Sequence, residues 1–405
     1  MTDDVETVVI GGGQAGLSVS RELTAAGVPH VVLERGRVGQ AWRGRWDGFC
    51  LVTPNWSVQL PGHFYDGDDP DGFMPRDEIV RYLERYATAV DAPVREGVGV
   101  AQVRPRPTGG FELDTSAGAV VARRLVLCTG AYQRPHRPAG AETLPQDLLQ
   151  IDVEDYRNPE ELPPGRVLVV GSGQSGCQIA EELREAGRKV FLACGRAGWL
   201  TRRIGDHDLA WWLVETGDLD DRPDSLPDPR ARLAGNLQAS GRHGGHDLHY
   251  RTLRRMGVTL LGRFLGAEGR DARFAADLGE SVAWGDQRHA KVMNGFRELA
   301  AKRGLRWPDT PPPEPFDAEA PEHLDLGDFG AVIFTSGFRP DYESWVRCPG
   351  AFDELGFPNH DEGASTVVPG LYFVGVHFLR KRKSSLLIGV GEDASIVASR
   401  IAAVG

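Results

Sequence analysis

Two glycine-rich sequences constrain the fold of this 405-residue chain more than any other feature. The first is TVVIGGGQAGLSVSREL, and the second, 160 residues later, is RVLVVGSGQSGCQIAEEL. Each follows apolar β-branched residues and precedes a segment of helical periodicity, which is the strand–turn–helix context of a G-x-G-x-x-G dinucleotide site. The three glycines permit a tight turn, close approach of backbone to a pyrophosphate, and packing of helix on strand. Two such turns predict two bound dinucleotides with electron transfer between them.

The predicted phosphate-binding residues are those of the two turns and of the helix starts that follow them. The first turn contributes Gly11, Gly13, Gln14, Ala15 and Gly16, and the second contributes Gly171, Ser172, Gly173, Gln174, Ser175 and Gly176.

The residue that ends the second strand of each unit distinguishes the two dinucleotides. Glu34 has this position in the first unit, where a carboxylate accepts hydrogen bonds from the ribose hydroxyls of FAD or NAD. Cys194 has it in the second, with Arg196, Arg202 and Arg203 just beyond. Guanidinium groups without a carboxylate suit a ribose 2′-phosphate. We therefore predict FAD at the first site and NADPH at the second, with Arg196 favoured for the phosphate; the alternative for each charge is a solvated surface group.

Hydrophobic periodicity predicts an α/β chain with two Rossmann-type domains, the NADPH domain being inserted into the FAD domain. The predicted strands are 6–10, 30–34, 166–170, 189–194, 331–338 and 370–375. The predicted helices are 14–26, 76–90, 174–186, stretches near 207–216, 246–256 and 283–303, and the C-terminal segment from Ser385. The predicted boundaries are 1–160 for the first part of the FAD domain, 161–335 for the NADPH domain with a variable helical insert at about 205–325, and 336–405 for the part that completes the FAD domain.

Composition limits the partners and the compartment. The net charge of −11 argues against a nucleic acid or an anionic membrane as partner. No apolar run approaches the roughly 20 residues that span a bilayer, and the acidic start differs from a signal peptide. These features predict a cytoplasmic protein. The five cysteines include no C-x-x-C pair, which predicts buried thiols rather than a redox pair or a metal site.

Further motifs resemble those of the class B flavoprotein monooxygenases, the flavin-containing monooxygenase superfamily, and above all its compact bacterial and plant YUCCA-type members. GVPHVVLERGRVGQAWRGRWDGFCLVTPN is similar to the family stretch that runs from the ribose-binding acid to a flavin-facing loop. LCTGAYQRPHRP and FTSGFRPD resemble its two linkers, and PGLYFVGVHFLRKRKSSLLIGVGEDASIVASRI resembles its flavin-covering C-terminal segment. The resemblance implies cofactor contacts from Arg35, Gln40, Trp42, Thr129, Gly130, Ser336 and Gly337.

The resemblance also implies a reaction. NADPH reduces FAD, and O2 then forms a C4a-(hydro)peroxyflavin that oxygenates a small organic substrate at nitrogen, sulfur or a carbonyl. Asn55 matches the family asparagine, whose amide donates near the flavin; its alternative is an Asx turn. Trp42 is expected to cover the flavin, with core packing as the alternative. The basic run 380–383 is either a solvated face or a source of charge for reduced flavin.

The chain departs from the family at its fingerprint, F-x-G-x-x-x-H-x-x-x-(W/Y). Tyr156 keeps the aromatic position, but Asp152 stands at the histidine position, and Gln146 and Leu148 replace the Phe and Gly. Because a carboxylate cannot donate as imidazole does unless protonated, the coupling of NADPH oxidation to oxygenation is in question. An NADPH–flavin reductase or oxidase that passes electrons to a protein, a quinone or oxygen is therefore one alternative. A non-catalytic flavoprotein redox sensor or subunit is the second.

Two predictions concern metals and assembly. His243, His246 and His249 follow one another at intervals of three, which on a helix would spread them around the axis rather than on one face, so we predict no metal site. The expected partners are a small-molecule substrate and O2, and a homodimer is compatible with the sequence.

Overall fold

The first of two large sheets is mixed and receives strands from both ends of the chain. A computed structural model describes residues 3–233 and 238–404. The nine-stranded sheet has a main path in the spatial order His360–Asp361, Ala364–Ser365, Leu371–Phe373, Gly118–Leu127, Asp3–Ile10, His30–Leu33 and Val94–Arg95, with Val100–Pro105 and Phe111–Thr115 attached at Gly118–Leu127. The strands around Asp3–Ile10 pair in parallel, as crossover connections require.

The second sheet is entirely parallel and comes from the middle of the chain. Its spatial order is Leu149–Asp152, Phe329–Phe334, Arg166–Val170, Val190–Ala193 and Thr259–Leu261. Strand Phe329–Phe334 is buried along its whole length, as expected of a strand covered on both faces. The α/β class predicted from periodicity is confirmed.

The remaining strands form small antiparallel sheets. They are Gln59–Leu60 with His63–Phe64, Arg134–Pro135 with Phe338–Arg339, Arg203–Ile204 with His207–Asp208, and Phe264–Glu268 with Asp271–Phe274 and His323–Asp325. The pair Arg134–Pro135 and Phe338–Arg339 brings together the two passages of the chain between the large sheets, and we call it the crossing ribbon.

The described residues form eight α-helices and several single 3₁₀ turns. The helices are α1 (Gln14–Ala25), α2 (Gln40–Arg43), α3 (Arg76–Ala89), α4 (Gln174–Glu185), α5 (Leu209–Glu215), α6 (Tyr250–Arg255), α7 (Leu278–Arg303) and α8 (Val390–Ala403). None of them is both long enough and apolar enough to cross a membrane.

Helix α8 explains how the C-terminal segment joins the first unit. It packs against α1, and buried Val397 and Ile401 share one core cluster with Val19 and Leu23. Each such side chain contributes about 1.5–3 kcal/mol on burial. The C-terminal segment is therefore part of the core beneath the first glycine turn.

Several predicted boundaries were wrong. The predicted helix 246–256 begins only at Tyr250, because His249 is extended and its ring accepts a hydrogen bond from the N–H of Arg251, which caps α6. The C-terminal helix begins at Val390, not Ser385, since the preceding residues form a separate 3₁₀ turn. Leu149–Asp152, which precedes the predicted domain boundary at residue 160, pairs with a strand of the second sheet.

Candidate functional site

The first glycine turn follows strand Asp3–Ile10 and leaves no room for side chains at its first and third glycines. Gly11 has φ of 110°, and a Cβ there would lie 2.7 Å from the carbonyl oxygen of Cys128. A Cβ at Gly16 would lie 1.8 Å from the carbonyl oxygen of Gly11. At Gly13, in contrast, no atom lies within 4 Å of a Cβ position. The turn is thus packed on the protein side and open at its middle glycine.

The second glycine turn repeats this arrangement. Gly171 has φ of 107°, and its Cβ would lie 2.8 Å from the amide nitrogen of Ser336. A Cβ at Gly176 would lie 2.0 Å from the carbonyl oxygen of Gly171, whereas Gly173 again has open space around it. The two turns therefore have the same packed and open positions.

Both turns lead into helices whose N-terminal amides are not capped. Gly13 and Gly173 are the N-cap residues of α1 and α4; they provide no side-chain cap, and neither first turn holds an acidic residue. Unsatisfied N–H groups and the helix dipole favour an anion at such an end. With the middle glycine open, each turn fits the pyrophosphate of a dinucleotide.

Glu34 lies against the first turn and is 7% exposed. Its two carboxylate oxygens accept hydrogen bonds from the N–H groups of Gly12 and Gly36, at 2.7 and 2.8 Å. A carboxylate has about four acceptor sites, so both oxygens retain capacity for ribose hydroxyls. The neighbouring Arg35 is exposed at this edge of the sheet.

Trp42 and Gln14 connect three segments around the first turn. The indole N–H of Trp42 donates to Oε1 of Gln14 at 3.0 Å, and Nε2 of Gln14 donates to the carbonyl of Ser385 at 3.2 Å. Trp42 is only half-buried, so it is not a plain core residue. Gln40 lies at the start of α2, where its Oε1 accepts from the N–H of Arg37.

Asn55 has one satisfied and one unsatisfied end. Its Nδ2 donates to the carbonyl of Asp69 at 2.9 Å, which fixes the orientation of the amide. Its Oδ1 is buried and has no hydrogen-bond partner among residues 3–233 and 238–404. The side chain is thus held by a residue 14 positions away rather than by an Asx turn. A buried amide oxygen without a partner is costly, so this end of Asn55 is suited to a ligand.

The linker residues lie at the carboxyl ends of strands in the two sheets. Thr129 and Gly130 follow Gly118–Leu127, and the hydroxyl of Tyr342 donates to the carbonyl of Gly130 at 2.6 Å. Ser336 and Gly337 follow Phe329–Phe334, and the hydroxyl of Ser336 donates to the carbonyl of Val170 at 3.0 Å. Their backbones therefore border the two glycine turns.

Side chains of the second turn hold neighbouring loops in place. Ser172 Oγ lies 2.6 Å from the hydroxyl of Tyr250 and accepts from the N–H of Gly195 at 2.9 Å. Gln174 exchanges hydrogen bonds with the backbone of Ala239. Tyr250 is a site residue that the sequence analysis missed, because nothing in its local pattern indicates a contact with Ser172.

Arg196 and Cys194 have contrasting environments after strand Val190–Ala193. Cys194 is 1% exposed, and burial raises the pKa of its thiol. Arg196 is exposed, and within the described part of the chain it makes no hydrogen bond or ion pair. Its guanidinium is therefore available to a phosphate at the end of this strand.

Arg202 does not fit its predicted role in binding NADPH. It is 1% exposed, and its Nε lies 2.8 Å from Oδ2 of buried Asp208. Its NH1 donates to the carbonyl of Val52 at 2.6 Å, and the guanidinium lies 4.1 Å from the ring centroid of Phe73. Because its charge is enclosed beside Asp208, Val52 and Phe73, we propose a structural role for Arg202 in place of the predicted contact with the cofactor.

The side chains of the fingerprint region make contacts within the protein that hold it to neighbouring segments. Asp152 forms a two-point ion pair with Arg137, at 2.9 and 3.0 Å. Tyr156 is fully buried, and its hydroxyl donates to Glu182 of α4 at 3.3 Å. Burial raises the pKa of Glu182 to about 7. Asp152 therefore acts as an acceptor bound to a cation and not as the donor that the family histidine supplies.

The three spaced histidines do not converge. His246 lies 2.6 Å from Glu181, and His243 lies 2.9 Å from Glu185. The ring of His249 packs at a tilt against Trp199, with a centroid distance of 4.4 Å. The helical spacing assumed for them was wrong, since α6 starts after them. In the described ranges no group of three or more His, Cys, Asp or Glu side chains could hold a metal ion.

The basic run near the C-terminus is neutralised by a segment of the helical insert. Lys381 and Lys383 both contact Asp220, at 2.8 and 3.1 Å, and Arg382 contacts Asp221 at 2.7 Å. These cations are thus neither a purely solvated face nor free charge for the flavin. They join the insert to the C-terminal segment.

The five cysteines are all buried and unpaired. Burial raises the pKa of each thiol, and with it the cost of forming a thiolate. A dithiol–disulfide exchange site needs a reactive, accessible thiolate, which none of the five offers.

Comparisons with known proteins agree with this geometry. A family model described as pyridine nucleotide-disulphide oxidoreductase matches residues 8–213. The chain is 30% identical to the uncharacterized CzcO-like oxidoreductase of Geobacillus kaustophilus, with 98% of each chain covered. It is 31% identical to the indole-3-pyruvate monooxygenase YUCCA1 of Oryza sativa, over 97% of this chain and 90% of that protein. A flavin-containing monooxygenase from Stenotrophomonas maltophilia has a similar fold, with a TM-score of 0.68, 20% identity, and 100% and 99% of the two chains covered.

Proposed function

Because this chain belongs to the pyridine nucleotide-disulphide oxidoreductase family and is a flavin-dependent oxidoreductase of the class B monooxygenase kind, we propose that it uses NADPH and O2 to oxygenate a small organic substrate. FAD and NADP(H) are its cofactors. Oxygenation of nitrogen or sulfur is favoured over insertion beside a carbonyl. One atom of O2 enters the substrate, and the other leaves as water with the two electrons from NADPH.

The observation that carries this proposal is the pair of matching glycine turns, each open at its middle glycine. Glu34 beside the first turn favours FAD there, and the exposed Arg196 beyond the second favours NADPH. The sheet connectivity supports an NADPH domain inserted into an FAD domain. We place the first boundary after the crossing ribbon rather than at residue 160, and the second near residue 335.

Each side chain then has a defined task. The uncapped starts of α1 and α4 bind the two pyrophosphates. Bound FAD accepts electrons from NADPH and supplies the chemistry of oxygen activation. Trp42, held by Gln14, shields the flavin side of the first turn from water. Asn55 is buried and fixed by Asp69, so it presents a rigid amide to the reacting groups.

The test measures which products receive the electrons of NADPH and the oxygen atoms of O2. Purified protein is given NADPH, ¹⁸O₂ and a panel of amines and thioethers, and NADPH consumed, hydrogen peroxide released and oxygenated product are measured together. We expect labelled product from at least one substrate. Recovery of all electrons as peroxide or on an added quinone across the panel would instead favour the reductase or oxidase, which the Arg137–Asp152 ion pair supports. Protein that binds FAD but consumes no NADPH would favour the redox sensor or subunit.

Arg196→Ala is expected to raise the KM for NADPH by about 10- to 100-fold and to leave the KM for NADH nearly unchanged. The reason is the loss of a charge-assisted contact with the 2′-phosphate, which NADH lacks. The matched control is Arg203→Ala, which changes an exposed arginine of strand Arg203–Ile204 that lies 3.9 Å from Asp208 and should leave both values unchanged. Equal effects of Arg196→Ala on the two nucleotides would refute the phosphate role.

Asn55→Asp is expected to leave FAD bound but to increase peroxide release relative to oxygenated product by about tenfold. The substitution replaces the hydrogen bond from Nδ2 to the carbonyl of Asp69 with a contact between two acceptor oxygens, and it brings a negative charge to a site that must stabilise developing negative charge. The matched control is Asn359→Asp, because Nδ2 of Asn359 also donates to a backbone carbonyl, that of Gly350, at 2.9 Å. An unchanged ratio of peroxide to product in Asn55→Asp would remove Asn55 from the reaction.

A further inference from the structure

His377 is a buried histidine that none of the proposed steps uses. It follows strand Leu371–Phe373 and is 5% exposed. Its Nδ1 is buried and has no hydrogen-bond partner in the ranges that the structure describes. A buried polar atom without a partner is rare in folded proteins and calls for a ligand or another explanation.

The segment around His377 lies at the first glycine turn. Gly375 approaches the start of α1 so closely that a Cβ there would lie 2.5 Å from Cβ of Ala15. Phe378 has a φ of 54°, a conformation that a phenylalanine rarely adopts and that is characteristic of functional sites. The ring of Tyr132, two residues after Gly130, packs on His377 with a centroid distance of 6.1 Å. His377 therefore belongs to the loops that border the turn.

The strand order shows which half of the dinucleotide lies on this side. Strand His30–Leu33, which leads to Glu34, is on one flank of Asp3–Ile10, while Gly118–Leu127 and Leu371–Phe373 are on the other. A dinucleotide crosses the turn with its pyrophosphate at the helix start and its adenosine ribose at the acid. Its other half must then extend over the loops that follow Gly118–Leu127 and Leu371–Phe373. In FAD that half carries the ribityl chain and the isoalloxazine ring.

We propose that Nδ1 of His377 forms a hydrogen bond to the ribityl–isoalloxazine half of bound FAD. Burial lowers the pKa of His377 to about 4, so the ring is neutral at physiological pH and adds no charge beside the flavin. Its role is to bind and orient the cofactor. The inference rests on the FAD site at the first turn and not on oxygenation of a substrate.

The test uses two substitutions at His377 and one control. His377→Phe keeps a flat ring and removes the hydrogen bond, whereas His377→Asn places an amide close to the position of Nδ1. The control is His249→Phe, which changes another buried histidine, 6% exposed, in the second unit. The dissociation constant of FAD for the apoprotein and the visible absorption spectrum of the bound flavin are measured for each protein.

His377→Phe is expected to raise the dissociation constant of FAD at least tenfold and to shift the flavin spectrum, while His377→Asn restores most of both and His249→Phe changes neither. Wild-type affinity and spectrum in His377→Phe would overturn the proposal. Equal losses in the Phe and Asn variants, or in His249→Phe, would also overturn it, since they would show a packing effect. Failure of the wild-type protein to make an oxygenated product would contradict the proposed function alone, because FAD binding does not depend on it.

Discussion

Arg202→Ala is expected to lower the free energy of unfolding by about 3 kcal/mol, because it removes the buried cation at 2.8 Å from Asp208 and leaves only the exposed Arg203, at 3.9 Å, beside that carboxylate. The side chains of Arg202 and Asp208 are 1% and 3% exposed, and the guanidinium of Arg202 also holds the carbonyl of Val52. The loss should appear in urea unfolding as a lower midpoint with an unchanged slope. The KM ratio of NADPH to NADH should not change, in contrast to Arg196→Ala.

The double variant Arg202→Met, Asp208→Asn is the control for this prediction. It removes both charges, so most of the lost stability should return even though the ion pair is still absent. A single variant as stable as the wild type, or one that loses discrimination between NADPH and NADH, would restore Arg202 as a phosphate ligand and contradict its structural role.

Gly173→Ala and Gly176→Ala are expected to affect different properties although the two glycines lie three residues apart. The first should weaken NADPH binding, and the second should lower the stability of the fold. Gly173 has an extended backbone and open space around it, so alanine fits the folded protein and blocks only the approach of the pyrophosphate. We expect at least a tenfold rise in the KM for NADPH with an unchanged melting temperature. A Cβ at Gly176 would meet the carbonyl oxygen of Gly171, so that variant should lose about 3 kcal/mol of stability.

Helix propensity sharpens the comparison. Alanine is favoured over glycine by about 1 kcal/mol inside a helix, so the steric cost of the Cβ in Gly176→Ala would exceed the measured net loss by about that amount. Thermal unfolding without nucleotide and steady-state kinetics with NADPH separate the two effects. Unchanged NADPH kinetics in Gly173→Ala would show that no phosphate approaches this glycine.

The parts of the site that the sequence predicted are those set by local backbone chemistry. The two glycine turns, the starts of α1 and α4, and the position of Glu34 at the end of a strand all follow from short-range patterns. The roles of Arg196 and Arg202 could not be separated in this way. Both are arginines after the same strand, and only the fold shows that one is exposed and the other is enclosed by Asp208, Val52 and Phe73.

Contacts between distant segments account for what the sequence analysis missed. Tyr250 reaches Ser172 across 78 positions, and His377 meets Tyr132 through strands that are neighbours only in the sheet. The predicted start of the helix at 246 was wrong for a related reason, since His249 caps α6, packs against Trp199 and does not continue the helix. Periodicity reports which residues face a core, but not which loops meet at a strand end.

The ion pairs between the insert and the C-terminal segment have a consequence for how the two units move. Both covalent connections between the two units run side by side in the crossing ribbon. The ribbon alone would therefore act as a single hinge between them. Asp220 and Asp221, bound to Lys381, Lys383 and Arg382, form an ionic attachment away from that ribbon, in addition to contacts such as that of Arg202 with the carbonyl of Val52. A body attached at two separated points resists rotation. Because these pairs are partly exposed, dissolved salt weakens them, and we therefore expect ionic strength to change how firmly the unit of the second sheet is held against the unit of the first sheet.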